Sequence, residues 1–329
     1  HYVDIQREEF KRLGVFGDWE TPYLTMSYAY EAAIIREFGK FVRNNGVYKG
    51  KKPIHWCASC RTALAEAEVE YADEASPSIF VRFPVDALIS ERFPSLAGEK
   101  VSIVIWTTTP WTLPANLAVA LHKDFDYSAV KTDQEVLIVA KDLVEACMKI
   151  FGIGTYRVVE TFKGKALEGL RVRHPFEERD SIMILGEHVT LEQGTGCVHI
   201  APGHGEEDYT IGLSYQLPIY TPVDDGGRFT QEAGRFAGQF VFQANPAITA
   251  LLKETGHLLK EGTVQHAYPH CWRCKKPVIF RATEQWFISM ESNALRSRAL
   301  SAIQEKVQWI PSWGMNRIYA MVANRPDWC

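Results

Sequence analysis

Val101-Ser-Ile-Val-Ile-Trp-Thr-Thr-Thr-Pro-Trp-Thr-Leu-Pro-Ala-Asn116 is the stretch on which the reading of this chain turns. A run of β-branched residues with a proline behind it reads as a buried strand that stops at its tip. Thr107, Thr108 and Thr109 therefore arrive where a pocket can form. Each hydroxyl is both donor and acceptor, and Pro110 and Pro114 remove backbone donors and fix φ beside them. The result is a stiff, polar surface on the scale of a small molecule. Threonine is also an ordinary strand residue, so the segment alone equally allows a strand end that binds nothing.

The surroundings of this strand set the fold class. From Ile79 onward, short apolar runs (Ile79 to Phe83, Val101 to Trp106, Glu135 to Ala140, Ser181 to Gly186) alternate with Gly, Pro and charged loops. Their irregular spacing argues for a strand-rich α+β domain and against a doubly wound sheet. A helix is expected over Lys141 to Phe151. The spacing of Ala32, Ile35, Phe38 and Val42 predicts a helix after Ser27 that ends near Gly46 and packs that face into a core. Leu295, Ala299, Ile303 and Val307 mark another, and Pro311 opens a third. Residues 1 to 26 read as loops, Ala72 to Ser78 as a polar linker, and residues 222 to 239 as a long Gly-rich loop.

A second stretch, Gly194-Thr-Gly-Cys-Val-His-Ile-Ala-Pro-Gly-His-Gly-Glu-Glu-Asp-Tyr209, lacks the last glycine of a dinucleotide fingerprint. As a strand running into a turn, it places Cys197, His199 and Ala201 on one face, and His204 and Asp208 project from the turn. Three uses of these side chains stay open: hydrogen-bonded structure, a metal site of His199, His204 and Asp208, or a Cys197–His199 nucleophile and base. No H-E-x-x-H accompanies the second. For the third, parallel side chains on a strand need not reach hydrogen-bond distance. There is also no G-x-S-x-G elbow.

Two C-x-x-C pairs, Cys57/Cys60 and Cys271/Cys274, have the knuckle spacing of a tetrahedral thiolate site for structural zinc. A redox dithiol or four reduced thiols are the other readings. Their wide separation makes sense if the strand-rich domain is inserted between the knuckles, with metal binding offsetting the entropy of closing so long a loop.

Composition narrows the class. The chain has 329 residues, 46% hydrophobic and 23% charged, with a formal net charge of −4. That length favours two domains or one interrupted domain. No global basic signature marks a nucleic-acid binder, but residues 262 to 329 hold nine Lys and Arg against four Asp and Glu. A phosphate-backbone partner would lie nearer that segment. No apolar run is long enough to span a bilayer, and the charged N-terminus is unlike a signal peptide, so a cytoplasmic protein without membrane contact is expected. The missing initiator Met and the plain end at Cys329 read as a piece of something longer.

The threonine stretch and the Gly194 to Tyr209 stretch resemble the two editing motifs of class I isoleucyl-tRNA synthetases. Asp18-Trp-Glu-Thr-Pro-Tyr-Leu-Thr-Met26, His55-Trp-Cys-Ala-Ser-Cys-Arg61, Arg281-Ala-Thr-Glu-Gln-Trp-Phe-Ile-Ser-Met290 and Val322-Ala-Asn-Arg-Pro-Asp-Trp-Cys329 extend the resemblance along the chain. Valyl and leucyl relatives usually carry Arg-Pro after the threonines, where this chain has Thr109-Pro110-Trp111. The resemblance implies a barrel-like editing domain (76–261) inserted through a zinc-ribbon stalk (53–75 and 262–285). It implies flanking arms of a split Rossmann catalytic domain at 1–52 and 286–329.

By the same resemblance His199 lines the side-chain pocket and Asp208 holds the substrate's α-ammonium. Thr107, Thr108, Thr109 and Asn116 orient the ester and its terminal adenosine, Trp111 stacks on a base, and His204 belongs to the binding surface. Cys57, Cys60, Cys271 and Cys274 hold structural zinc. The implied activity is hydrolysis, by a positioned water, of valine misattached to the tRNA for isoleucine. Valyl-adenylate is a further candidate substrate, and a monomer is expected. No H-I-G-H-like or K-M-S-K-S-like segment occurs, so amino-acid activation is not expected. The alternatives are the valyl paralogue clearing threonine, and a zinc-ribbon RNA-binding module without chemistry.

Overall fold

The computed structural model describes residues 1–329, which divide into two compact units: 1–50 with 285–329, and 51–284. In chain order the helices are α1 (Tyr2–Arg12), α2 (Tyr28–Arg43), α3 (Leu88–Arg92), α4 (Val144–Phe151), α5 (Glu206–Ser214), α6 (Val241–Glu254), α7 (Leu295–Glu305) and α8 (Gly314–Ala323). The strands are β1 (Val47–Cys57), β2 (Thr62–Ala63), β3 (Val69–Pro84), β4 (Val101–Thr107), β5 (Ala118–Leu121), β6 (Asp126–Lys131) and β7 (Val136–Ala140). They continue as β8 (Arg157–Lys163), β9 (Arg171–Arg173), β10 (Asp180–Leu185), β11 (Val198–Ile200), β12 (Leu258–Cys271) and β13 (Ile279–Ile288). No helix is long and apolar enough to cross a membrane.

The unit of residues 51–284 is built on two open sheets. One has the order β12-β3-β4-β7-β6-β8, the other β11-β5-β10-β9, and a three-stranded sheet β13-β1-β2 completes the set. Mostly antiparallel pairing is broken by two parallel pairs, β4 with β7 and β5 with β10. Strand periodicity sorts the side chains between layers. Ile79, Val81, Phe83, Ile103, Ile105, Tyr127, Ala129, Val136 and Ile138 meet Val119, Leu121, Val172 and Met183 of the second sheet in one core. The intervening Phe80, Val104, Val130, Leu137 and Val139 pack on Val144, Cys147 and Met148 of α4. Ala118, Ala120, Ile184 and Ile200, on the outer face of the second sheet, are covered by Ile211 of α5 with Tyr215 and Leu217 just beyond it.

Four expectations are corrected. The barrel does not close: between β3 and β9 the only ladder contact is an isolated bridge, Val85 with Val172, so both sheets keep their edges. Ala72 to Ser78 is not a linker but the middle of β3, which pairs with β12 from Val69 opposite Cys271 to Val81 opposite Leu258. Cross-strand pairing overrides a small polar composition there. Residues 2–12 form α1 rather than loops. Ion pairs Arg7–Asp4 at 3.0 Å and Lys11–Glu8 at 3.1 Å support that helix on its surface. The helix expected after Ser27 is present as α2, with Ser27 Oγ accepting from Tyr30 N–H at 3.3 Å, but its face is not core: Ile35 and Phe38 are exposed and the helix buries no residue.

Candidate functional site

The threonine loop is built from local hydrogen bonds. Beyond β4, Thr109 N–H donates to Thr107 Oγ1 at 3.1 Å, and the two hydroxyls lie 3.2 Å apart. A tight turn over Pro110–Ala115 follows, in which all six residues are buried. Asn245 of α6 anchors it, accepting from Trp111 N–H at 2.9 Å.

The second half arrives on β11, whose pairing with β5 places His199 opposite Val119. Ahead of it Gly196 has φ of +72°, and a Cβ there would meet Ala140 Cβ at 2.4 Å, so only glycine lets this loop lie on β7. After it, Gly203 passes so close to Tyr220 that a Cβ would sit 2.2 Å from the carbonyl oxygen. The chain then enters α5, whose first turn carries Glu206, Glu207 and Asp208. Carboxylates at that helix end are favoured by the backbone dipole.

These pieces enclose a cavity of about 360 Å³ lined by Thr107, Thr108, Thr109, Thr112, His199, His204 and Asp208, among others. Asp208 Oδ2 accepts from Ala201 N–H at 2.7 Å. Burial pushes its carboxyl up to about 7, against the pull of that N–H, and the neighbouring Glu207 charge adds to the rise. An arriving ammonium would reverse it. Four larger hollows, of about 630, 600, 420 and 420 Å³, have no comparable set of converging His, Asp and Thr side chains, although one of the smaller pair touches Thr108 and Thr109 from their other side.

His199 sits in a fully assigned hydrogen-bond chain. Asn116 Nδ2 donates to Ala118 O at 2.8 Å and faces His199 Nδ1 at 3.4 Å. His199 Nδ1 is thus the acceptor, and Nε2–H donates to Thr112 Oγ1 at 2.9 Å, whose own hydroxyl donates to Thr109 O at 2.8 Å. Burial holds this imidazole down at about 4, with a smaller push from His204, so the ring is neutral. With both nitrogens engaged, His199 is a wall of the cavity rather than a base. His204 is likewise held at about 4 by burial, and its Nδ1–H donates to Phe280 O at 3.0 Å.

Trp111 and Asn116 do not occupy the positions expected of them. Trp111 is 3% exposed, with its ring edge-on to His204 at 5.0 Å and Phe242 at 6.3 Å, so it offers no face to a base. Asn116 is 0% exposed and reaches the cavity only through His199. Cys197 is buried and its thiol raised, chiefly by desolvation, which suits packing and not a nucleophile. The sequence reading missed Thr112, two residues past Pro110 in the same run, and His188, Thr190 and Gln193, which also line the cavity. A polar cluster, Glu187-His188-Val189-Thr190, was the available signal.

The four knuckle cysteines come together. Cys57 and Cys271 end β1 and β12, Cys60 and Cys274 follow in the turns, and all four sulfurs lie within 4.8 Å of one another. Cys57 Sγ and Cys274 Sγ are 3.5 Å apart. Zn–S bonds of about 2.3 Å in a tetrahedron put sulfurs about 3.8 Å apart, so the donor set and its spacing fit the ion. Burial raises the Cys57 thiol to about 12. For Cys274 burial acts upward too, but the Lys276 N–H and the other three thiols outweigh it and bring the group to about 7.

The family model of class I tRNA synthetases (I, L, M and V) matches residues 1–329, and the chain belongs to that family. Within it, the chain is similar to the isoleucine–tRNA ligase of Geobacter sulfurreducens, 59% identical over 328 residues, 100% of this chain and 35% of that protein. The isoleucine–tRNA ligase of Syntrophotalea carbinolica is 58% identical over 328 residues, again 100% of this chain and 35% of that protein. This chain therefore spans about a third of the length of the curated relatives it matches. A crystal structure of the P. knowlesi cytosolic leucyl-tRNA synthetase editing domain covers 58% of this chain and 97% of its own, at TM-score 0.44 and 11% identity.

Proposed function

We propose that the cavity between the threonine loop and α5 is a deacylation site. In this reading it clears valine from the tRNA for isoleucine. The observation that carries it is the placement of Asp208 in one cavity with Thr107, Thr108, Thr109 and the neutral wall of His199. Ionised Asp208 pairs with the α-ammonium of the aminoacyl group. Thr107, Thr108 and Thr109 orient the ester, and the ring of His199 limits the side chain that fits. Water adds to the carbonyl carbon, the bond from that carbon to the ribose oxygen breaks, and a proton from the water ends on that oxygen. A pocket that admits valine and meets isoleucine with a clash spares the correct product. The four thiolates hold zinc as a closed structural site, with no position left for substrate.

The same reading takes residues 76–261 as the editing domain, 53–75 and 262–285 as the stalk, and 1–52 and 286–329 as arms of a catalytic domain, in a cytoplasmic monomer that meets the 3′ end of tRNA. The test is deacylation by the chain itself of valine, isoleucine and threonine esters of one tRNA. Release of valine alone is the expected result. Preference for threonine would favour the valyl paralogue, and tight binding without release would favour an RNA-binding module.

A further inference from the structure

Behind the threonine loop lies a second hollow, of about 420 Å³, that shares Thr108 and Thr109 with the candidate cavity and is otherwise lined by different residues. Its walls carry the rings of Phe240, Phe242 and Tyr268, with Phe242 5.6 Å from Phe240 and 6.2 Å from Tyr268. Glu74 and Asn245 bring charge and polarity to it, and no Lys or Arg lines it. We propose that this hollow binds the cytosine of the nucleotide preceding the terminal adenosine of tRNA, stacked on its phenylalanine rings and held at the base edge by Glu74 and Asn245.

Asn245 is 8% exposed, and its Oδ1 accepts from Trp111 N–H at 2.9 Å. A backbone N–H can only donate, so this bond fixes the amide and leaves Nδ2, a pure donor, as the end without a protein partner. Glu74 supplies the complementary acceptor. Its side chain is 41% exposed, Oε2 lies 3.4 Å from His270 Nε2, and Oε1 takes no hydrogen bond from the protein. Phe240 and Phe242 are only partly buried, which leaves aromatic surface for a base to stack on, the usual way an unstacked base at an RNA end is held. Aromatic walls with one donor and one anionic acceptor, and no cation, suit the edge of a heteroaromatic base and not a phosphate. Cytosine matches both groups: its N4 amino group donates to a carboxylate, and the adjacent N3 and O2 accept from an amide. Uracil would set O4 against the carboxylate instead. The nucleotide before the terminal adenosine of tRNA is a cytidine. Thr108 and Thr109 are the partition between the two hollows, so a strand whose terminal adenosine meets one side of them has its next base at hand for the other.

The choice of ligand rests on the deacylation reading, and the test separates the two. Short RNA hairpins ending in C-C-A or C-U-A, each uncharged and valyl-charged, are offered to the intact chain. Wild type should bind the uncharged C-C-A end, and release valine from its ester, about 10-fold better than with the C-U-A end, the scale of one base-edge contact. Glu74→Gln, whose amide can meet either an amino group or a carbonyl, should narrow that preference to within about 2-fold with melting little changed. Equal handling of the two ends by wild type, or an undiminished preference in Glu74→Gln, would overturn the proposal. A Glu74-dependent preference in binding, in a chain that releases no valine from either ester, would uphold the base subsite and remove the deacylation reading. Valine release at one rate from both ends would keep the deacylation reading and remove the subsite.

Discussion

The thiol cluster and the polar cavity occupy the same unit and treat buried polar atoms in opposite ways. At the cluster four sulfurs from two turns converge within 4.8 Å, and one tetrahedral ion would use every donor. At the cavity Asn116, His199 and Thr112 satisfy one another, while the Asp208 carboxyl, raised by burial, gains a full counter-charge only from a ligand. A site that saturates itself adds stability, and one that leaves a charge short of partners can bind at some cost in stability. Damage to the two should therefore separate, the first showing in melting and the second in turnover.

The largest effect belongs to the metal. Removing zinc with a chelator, or Cys271→Ser, should lower the melting temperature by several degrees or more, since bound metal contributes directly to folding. Metal analysis should find one zinc per chain in the wild type and a clear loss in the variant, with the preference among aminoacyl esters unchanged. Protein purified under reducing conditions without zinc would remove the metal half of the contrast.

Next in size is Asp208→Ala. Hydrogen bonds to charged groups contribute about 1.5 to 3 kcal/mol net, which is roughly 10- to 150-fold in the rate of valyl ester hydrolysis. Melting above pH 7 should change little, because relief of an ionised carboxylate from a buried site offsets the loss of the acceptor for Ala201 N–H. Full turnover in the variant would make Asp208 structural.

His199→Ala sharpens the contrast from inside the cavity. Removing the wall should let isoleucyl ester be hydrolysed, a rise of about 10-fold for a barrier change of about 1.4 kcal/mol. It should also cost about 1 to 3 kcal/mol in stability, as Asn116 and Thr112 lose their shared partner. If isoleucine remains spared, the steric limit lies in the threonine loop.

The smallest effects are in pH. Burial holds His174 at about 3 and both His199 and His204 at about 4, below the 6.5 of an unfolded histidine. Between those values the unfolded chain binds more protons, so stability is full above pH 6.5 and lost as pH falls toward 4. Asp208, raised to about 7, acts in the opposite sense over nearly the same window, one group against three. Melting should therefore drop from pH 7 to pH 5. Turnover, corrected for spontaneous ester hydrolysis, should rise with pH through about 7 as Asp208 ionises.

How much of this could be read from residues alone differs between the two sites. The cysteines declare themselves because ligand type and knuckle spacing are local. The threonine stretch and Asp208 were visible as motifs, α7 followed from its helical spacing, and the four strands followed from their apolar runs. Thr112 was passed over although it lies in the same run and bonds to Thr109 O locally, because the bond that gives it a place at the cavity comes from His199 on another element. The linker misread at Ala72 to Ser78 has the same cause: its pairing with β12 comes from nearly two hundred residues away. Trp111 looked like a stacking platform because sequence does not report that His204 and Phe242 close over it.

One comparison bears most directly on the cavity. Wild type and Asp208→Ala, each with its zinc content and melting temperature measured in the same preparation, are offered valyl and isoleucyl esters of one tRNA. The account predicts that wild type releases valine and spares isoleucine, and that the variant loses most of the valine release with its zinc retained and its melting little changed. Equal valine release by the two proteins, or none by a wild type that is folded and zinc-loaded, would contradict it.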